Sequence, residues 1–524
     1  MRTHALSLAL TVLLILSTPA LLAQPAPLVF HAFLVGANVL GGGGSTTGFA
    51  RATLTMNGDL ATLDVTTIGL TNITGVTLFV GAPGTDGSVI KTFTDVNNGF
   101  VNGRFTRTLA LDPGVATVIF NNPQNFYLVI TTAANPTGAV RGSLVSANAT
   151  YLAGRVAGSS TLCNGGNGTS GGVGSFVISL TPDTGGATYT VRYDIVTSGL
   201  GNTLSAIEVG DNLGGSGPIT LGTNVAGTGG RFTGSTQIPT ARAQVLQSLP
   251  VGARLIVRTP DSGTGCAAAG SPLAAHELFI PVAGSVRGAG NTNFMTDVNI
   301  YNNTASGAGD NADVLTQFFP AGTSSATAQF VAWTTLLPRG LVSYRDVATS
   351  AFNASINGVG ALRMVTSGNI IANARVYNNQ AAAGAGTFGQ YIAGLPRSLA
   401  LTEGTLVGLS NIVSAVPPGT ASARTNVGFF NPSDNTVTAA FELLDGNGTV
   451  TRTSTLTLNP WQQLQVPLAG GLFGGITGDV NVSTLHFLSG SPIFVYASIV
   501  DNVSGDGSYV TPSISSSGGT APGQ

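Results

Sequence analysis

Chemistry in this chain has to come from few side chains. The full sequence holds four histidines, His4, His31, His276 and His486, and two cysteines, Cys163 and Cys266. No H-x-H, HExxH or clustered Cys/His pattern is present, so zinc ligation is not expected. A Ser-His-Asp triad would need one of these lone histidines, and no G-x-S-x-G elbow sits between a strand and a helix. His486, in Leu485-His486-Phe487-Leu488, reads as strand packing. The glycine runs Gly41–Gly44 and Gly165–Gly174 lack the lysine and the following helix of a phosphate loop. Asp445-Gly446-Asn447-Gly448 starts like a calcium loop but lacks the distal glutamate, and a hairpin turn explains it more simply. Asp501-Asn502 with Asp506-Gly507 is a second candidate for weak calcium binding, and Asp86 a weaker one. Trp333 and Trp461 would suit a sugar platform if exposed, or the ends of a β-sandwich if buried. No catalytic, cofactor or metal residue is assigned, and no cofactor is expected.

Such residues need elements to hold them, and composition says which. The 524 residues are 43% hydrophobic, enough for several cores, but only 8% charged, with 73 glycines. Gly, Thr, Val and Asn with little charge point to many short strands joined by tight turns. A net charge of −2 without clustered Lys or Arg excludes a phosphate-backbone interface, so no nucleic-acid partner is expected. Residues 1–23 read as a secretory signal peptide: Arg2 and His4, an apolar stretch from Ala5 to Leu16, then Ser17-Thr18-Pro19. Cleavage before Gln24 would leave a secreted or cell-surface protein with no membrane segment. A retained anchor is the alternative, but the apolar stretch is short against the ~20 residues of a span.

Strands are expected at Leu28–Val35, Phe49–Met56, Leu60–Ile68, Val76–Val80, Val89–Phe93, Phe105–Leu111 and Phe126–Thr131, with Asn57-Gly58-Asp59 as a hairpin turn. Pro113–Asn125 has room for one helical turn, against the β-branched run Val115–Phe120. The closing phrase is Phe126–Leu144, FYLVITTAANPTGAVRGSL. With TTIGLTNITGVTLFVGAPGTDGSVI upstream, it resembles the CHRD (chordin) domain over residues 28–146, most specifically at Pro136, Gly138, Val140, Arg141 and Gly142. Bacterial members carry histidines where this chain has Thr77-Leu78-Phe79 and Val129-Ile130-Thr131, so any chemistry of those histidines is not expected here. Arg141 must be satisfied inside an apolar strand. It would cap carbonyls, pair with Asp64 or Asp95, or face a ligand. Residues 147–272 look like a divergent second copy: Thr197-Ser198-Gly199-Leu200 parallels Thr67-Ile68-Gly69-Leu70, and Gly230-Arg231-Phe232-Thr233 repeats Gly103-Arg104-Phe105-Thr106. The R-G pair is lost there, with Gly263–Gly270 in its place. First and last strands that neighbour each other, as the resemblance allows, would bring Cys163 and Cys266 into a disulfide in an exported protein; two free buried thiols are the alternative.

The second half repeats as well. Thr296–Asn302 matches Thr425–Asn431, Val314–Pro320 matches Ala440–Asp445, Leu336–Gly340 matches Leu456–Trp461, and Gly360–Tyr377 matches Gly478–Val500. Short strands every 8–12 residues suggest two immunoglobulin-like β-sandwich units, 276–390 and 391–512. They resemble tandem modules of secreted bacterial proteins. Residues 513–524 read as a flexible tail. The chain is thus expected to be all-β and multidomain. The function expected is a non-enzymatic extracellular interaction, adhesion or matrix scaffold, with an extracellular protein or glycan as partner. A carbohydrate- or calcium-binding module is the second reading, and a hydrolase with an unusual carboxylate pair the third.

Overall fold

The computed structural model describes residues 28–513 except 82–83, 94–98, 102, 122, 147–148, 161, 164–170, 184–187, 211–216, 249–252, 264, 288–291, 306–310, 324–327, 353–356, 380–386, 413–421 and 477. The expected signal peptide, most of Gly165–Gly174 and residues 514–524 of the expected tail lie outside the described residues. The chain is nearly all β, in several separate sheets.

Alternation sets the first sheet. In Phe49–Asn57 the residues Ala50, Ala52, Leu54 and Met56 are buried, while Phe49, Arg51, Thr53 and Thr55 lie on the other face. The strands are β1 (Leu28–Val35), β2 (Phe49–Asn57), β3 (Leu60–Ile68), β4 (Ile73–Val80), β5 (Ser88–Phe93), β6 (Arg104–Ala110), β7 (Phe126–Thr132), β8 (Val140–Ser143) and β9 (Val145–Ser146). They pair in the order β5-β4-β7-β8-β1-β2-β3-β6, with β9 on β1. A helix, α1 (Val115–Asn121), forms where only a single turn was expected. Its β-branched residues disfavour helix by at most about 0.7 kcal/mol each. Ile119, fully buried in the core with Val115 and Ala116 packed beside it, offsets that with about 1.5–3 kcal/mol from one side chain.

The second sheet comprises β10 (Thr150–Ala157), β11 (Val173–Pro182), β12 (Thr188–Ser198), β13 (Thr203–Gly210), β14 (Ile219–Ala226), β15 (Arg231–Pro239), β16 (Arg254–Arg258), β17 (Ala268–Gly270) and β18 (Leu273–Ala274), with helix α2 (Thr240–Gln247) before β16. Its order is β14-β13-β16-β17-β10-β11-β12-β15, with β18 on β10. Each strand therefore occupies the place of the strand nine earlier in the first sheet, and α2 takes the place of α1.

The third unit contains β19 (His276–Arg287), β20 (Asn293–Asn302), β21 (Ala312–Pro320), β22 (Phe330–Leu336), β23 (Leu341–Tyr344), β24 (Gly358–Thr366), β25 (Ile370–Asn379), β26 (Thr387–Ala393) and β27 (Leu395–Pro396). One layer runs β22-β21-β24-β19 and the other β23-β20-β25-β26. Pairing of β26 with β25 and of β27 with β19 keeps the chain in this unit past residue 390, the boundary expected from sequence. The fourth unit has β28 (Leu401–Asn411), β29 (Ala423–Phe430), β30 (Val437–Leu444), β31 (Val450–Leu458), β32 (Gln463–Pro467), β33 (Val480–Asp501) and β34 (Gly507–Val510). Its layers are β31-β30-β33-β28 and β32-β29-β33-β34. The 22-residue β33 crosses both layers and does the work of β24 and β25 together. Asn302 and Asn431 each donate a side-chain hydrogen bond to the carbonyl of a buried leucine, Leu336 and Leu458. These leucines are therefore counterparts, which places Leu336–Gly340 against Leu458–Gln462 rather than against Leu456–Trp461. Trp461 then stands at the position of Arg339, both with positive φ, and not at that of Trp333.

Candidate functional site

Polar side chains gather at one place foreseen and at two that were not. The foreseen one lies on β4, β7 and β8. Thr77 pairs with Val129, and Val129 with Arg141, so the positions where the CHRD resemblance expects histidines are neighbours in the sheet. Arg141 is the charged member of that row. It is 7% exposed, and its guanidinium lies 3.7 Å over the Tyr127 ring. It donates to the Thr85 carbonyl at 2.5 Å and reaches Asp86 at 3.4 Å. Tyr127 accepts from the Gly87 N–H at 2.8 Å and stacks on Phe79. Arg141 thus fastens the turn around Gly84–Gly87 and does not pair with Asp64, which accepts from Thr106 instead. Asp95 lies outside the described residues. Asp86 is exposed, so the stacking and the carbonyl bond dominate and the ion pair adds little. Gly142 has no room for a side chain, because a Cβ there would run into the Phe33 carbonyl. Pro136 and Gly138 shape the preceding turn, in which the Gly138 N–H donates to the Asn135 carbonyl at 3.2 Å.

In the second sheet, Val35 and Arg141 are replaced by Ala157 and Ala269. Gly270 stands where Gly142 does, and a Cβ on it would meet the Arg155 carbonyl. The glycine of the R-G pair is therefore kept and only the arginine is lost. Ala269 packs instead on the Cys163–Cys266 disulfide, whose Cα atoms are 5.4 Å apart.

The first unforeseen place is where the second, third and fourth units meet. Glu277 on β19 is buried and accepts from Arg363 on β24 at 2.6 Å and from Arg397, after β27, at 2.6 and 2.9 Å. Burial alone would raise its pKa, but the two guanidinium groups pull it down to about 2. Arg363 also donates to Gln317 Oε1 at 3.0 Å, Gln317 Nε2 to Asp194 at 2.8 Å, and Arg231 to both Asp194 oxygens at 2.8 and 2.9 Å. Around this chain of charges stand Tyr151, Phe279, Phe319, Phe430, Trp461 and Phe494. Arg397 lies 4.1 Å over the Tyr151 ring, and Arg363 4.6 Å over that of Trp461. The Trp461 indole donates to Asp434 at 2.9 Å, and Thr181 of the second unit donates to the same carboxylate at 2.8 Å. A crevice of about 170 Å³ remains between Tyr151, Asp194, Arg363 and Trp461. Glu277 is locked as an anion, and burial pushes the Tyr151 hydroxyl well above its usual range. These groups brace and bind; neither is poised to exchange a proton near neutrality.

A related cluster joins the first and fourth units. Arg104 on β6 pairs with Glu403 on β28, and His486 on β33 lies 3.6 Å from Glu403 and 3.5 Å from Glu442. Burial would lower the His486 pKa, but the two carboxylates raise it to about 9. This is an ion-pair role beyond the strand packing expected of it. His31 is buried beside Thr53, its pKa lowered to about 4 by burial and by Arg51, and His276 contacts the Gly368 carbonyl. Among the described residues the histidines are not brought together. Trp333 is half-buried and donates to Asp313 at 3.3 Å. The Asp501 carboxylate is taken up by Val503 and Ser504, and that of Asp445 by the Asn447 and Thr449 N–H groups. Among the described residues no three His, Cys, Asp or Glu side chains stand close enough to hold a metal ion, and no helix is long and apolar enough to cross a membrane.

The junction was missed because spacing along the chain does not show which units touch. Its one signal was charge inside apolar strands, Glu277 in HELFIPV and Arg363 in ALRMVT, in a chain only 8% charged. Residues 30–144 match the CHRD domain family. No curated protein matches the chain. Among solved structures it is similar to the crystal structure of a tetra-tandem repeat in the extending region of a large adhesion protein. The identity is 13% and the TM-score 0.11, over 87% of this chain and 95% of that one.

Proposed function

We propose that this chain, with its CHRD domain at residues 30–144, is an exported, non-enzymatic β-scaffold that presents extracellular interaction or adhesion surfaces. The observation that carries the reading is the three-unit junction. A buried anion held by two arginines and ringed by six aromatic side chains fixes neighbouring units in one arrangement. Export is proposed from the sequence of residues 1–23, and the Cys163–Cys266 disulfide fits an oxidising compartment. The second sheet, with the strand order of the first, is read as a divergent copy of it. Two residues that would favour glycan or calcium binding are engaged elsewhere: Trp461 is 3% exposed, and the Asp501 oxygen closes its own turn.

Two calorimetric measurements on the chain without residues 1–23 test this. On heating, the second, third and fourth units should melt in one transition, and Trp461→Ala should split it. Titration with calcium chloride and with a panel of glycans should release no heat. Independent melting of the units in the unsubstituted protein, or saturable heat from either ligand, sinks the scaffold reading.

A further inference from the structure

The contact between the two sandwiches is asymmetric, and each of its halves has a counterpart that exposes apolar side chains among the described residues. On the fourth unit the outer face of the β32-β29-β33-β34 layer docks on the third. Phe430 and Phe494 close on Phe279 at 6.0 and 5.2 Å, and Phe430 on Phe319 at 5.8 Å. Tyr496 enters the core of the third unit, and Tyr509 packs against that core.

Register gives the counterparts of this face on the third unit. Phe430 pairs with Phe494 and with Gln463; Tyr301 pairs with Ile371 and with Leu341. Tyr509 lies opposite Ser498 as Tyr391 lies opposite Arg375. The counterparts stand open to solvent: Leu341 is 63%, Ile371 51% and Tyr391 66% exposed. The receiving side repeats likewise. Phe279 opposite Arg363 corresponds to Thr405 opposite His486, and Phe319 opposite Ala361 to Leu444 opposite Thr484. At that end of the fourth unit Val407 and Val482 are 55% and 69% exposed.

The CHRD-side units do not block this arrangement. The second unit sits on the third as the first sits on the fourth. Arg155 meets Asp313, while Phe33, at the position of Arg155, lies over Gly490 beside Thr438, the counterpart of Asp313. The internal contact therefore forms with a docked β-unit in place, and its repetition would meet the same geometry.

We infer that copies of this chain associate head to tail: the face of one copy that exposes Leu341, Ile371 and Tyr391 docks on the Val407–Val482 end of the fourth unit of the next, repeating the internal sandwich contact. Exposed apolar side chains grouped on one face mark interaction sites, and a heterologous contact that does not close generates linear assemblies. The inference supplies a partner for the scaffold reading and rests on it.

The test is sedimentation velocity of the chain without residues 1–23 over a concentration series. The unsubstituted protein should give a mean mass that rises with concentration without reaching a limit. Ile371→Glu disables the face and Val482→Glu the receiving end; both positions are exposed, so folding should be kept, as circular dichroism would verify. Each variant alone should associate about tenfold more weakly or worse, the loss expected of a substituted anchor residue. An equimolar mixture of the two should form one-to-one dimers and nothing larger, because one intact face remains in one variant and one intact end in the other. A monomer at every concentration, association untouched by either substitution, or a mixture without dimers overturns the inference. The scaffold reading is tested separately, by unfolding and titration at concentrations where the chain is monomeric.

Discussion

Glu277 shows how one carboxylate fixes an arrangement of units. It is the anion between Arg363 and Arg397, which belong to β24 and to the link into the fourth unit. Both it and Arg363 have side chains only 5% exposed. A buried pair of this kind is weak evidence of net stability, but removing one partner strands the others without water and costs about 3–5 kcal/mol. Glu277→Ala should therefore lower the stability of the junction by that amount in chemical denaturation. The pH dependence follows from the direction of the shift. The folded pKa is depressed from 4.5 to about 2, so the stabilisation is fully present above 4.5 and is lost as pH falls through 2. Unfolding followed between pH 5 and 2 should show a steep acid limb in the unsubstituted protein and a flatter one in Glu277→Gln. Equal limbs would remove Glu277 from the account.

At the scale of the element, the first two sheets solve one problem in two ways. Each must pin the strand after β7 or β16 to a loop of its own unit, the β4–β5 turn in the first and the loop after β10 in the second. The first uses Arg141 stacked on Tyr127; the second has Ala269 there and uses the disulfide. The separation of 103 residues between Cys163 and Cys266 implies about 4–5 kcal/mol of loop-closure stabilisation in the chain-entropy model. Replacing both cysteines by alanine should lower the melting temperature of the second unit while leaving the first unchanged, as hydrogen exchange resolved by unit would show. A matching loss in the first unit would contradict the separation. Much of this level was legible in the sequence. Strict alternation in Phe49–Met56 and the Asn57-Gly58-Asp59 turn fix a hairpin without help from elsewhere. Helix α1 was not legible, because Ile119 becomes helical through the core it meets, not through its neighbours in sequence. Gly270 was missed as the partner of Gly142 because the Gly-rich run before it hides the register, which only pairing with β10 and β16 reveals.

The whole molecule is two β-units carried by two sandwiches, with the docked pairs built alike but carrying different charges at the contact. Where β24 presents Arg363, the equivalent position of β33 presents His486, and Gln317 is matched by Glu442. An arginine keeps its charge at any pH a protein survives. His486 does not. It faces Glu403 and Glu442, with Arg104 and Arg51 reaching the same Glu403 from the first unit. Its folded pKa is raised from 6.5 to about 9, so its contribution is fully present below 6.5 and is lost as pH rises through 9. Above that pH Glu403 and Glu442 repel each other with no proton between them, and the remaining cations at this contact come from the first unit. Alkaline solution should then loosen the first unit from the fourth while the second stays on the third. Hydrogen exchange compared at pH 7 and pH 10, corrected for intrinsic rates, should show lost protection in β2, β3, β6 and β28 but not in β11, β12 and β21. His486→Arg should restore it, because that substitution gives the first pair the permanent cation of the second. Equal loosening of both pairs, or loosening that the arginine does not rescue, would show that the two docks hold by something other than the charge that distinguishes them.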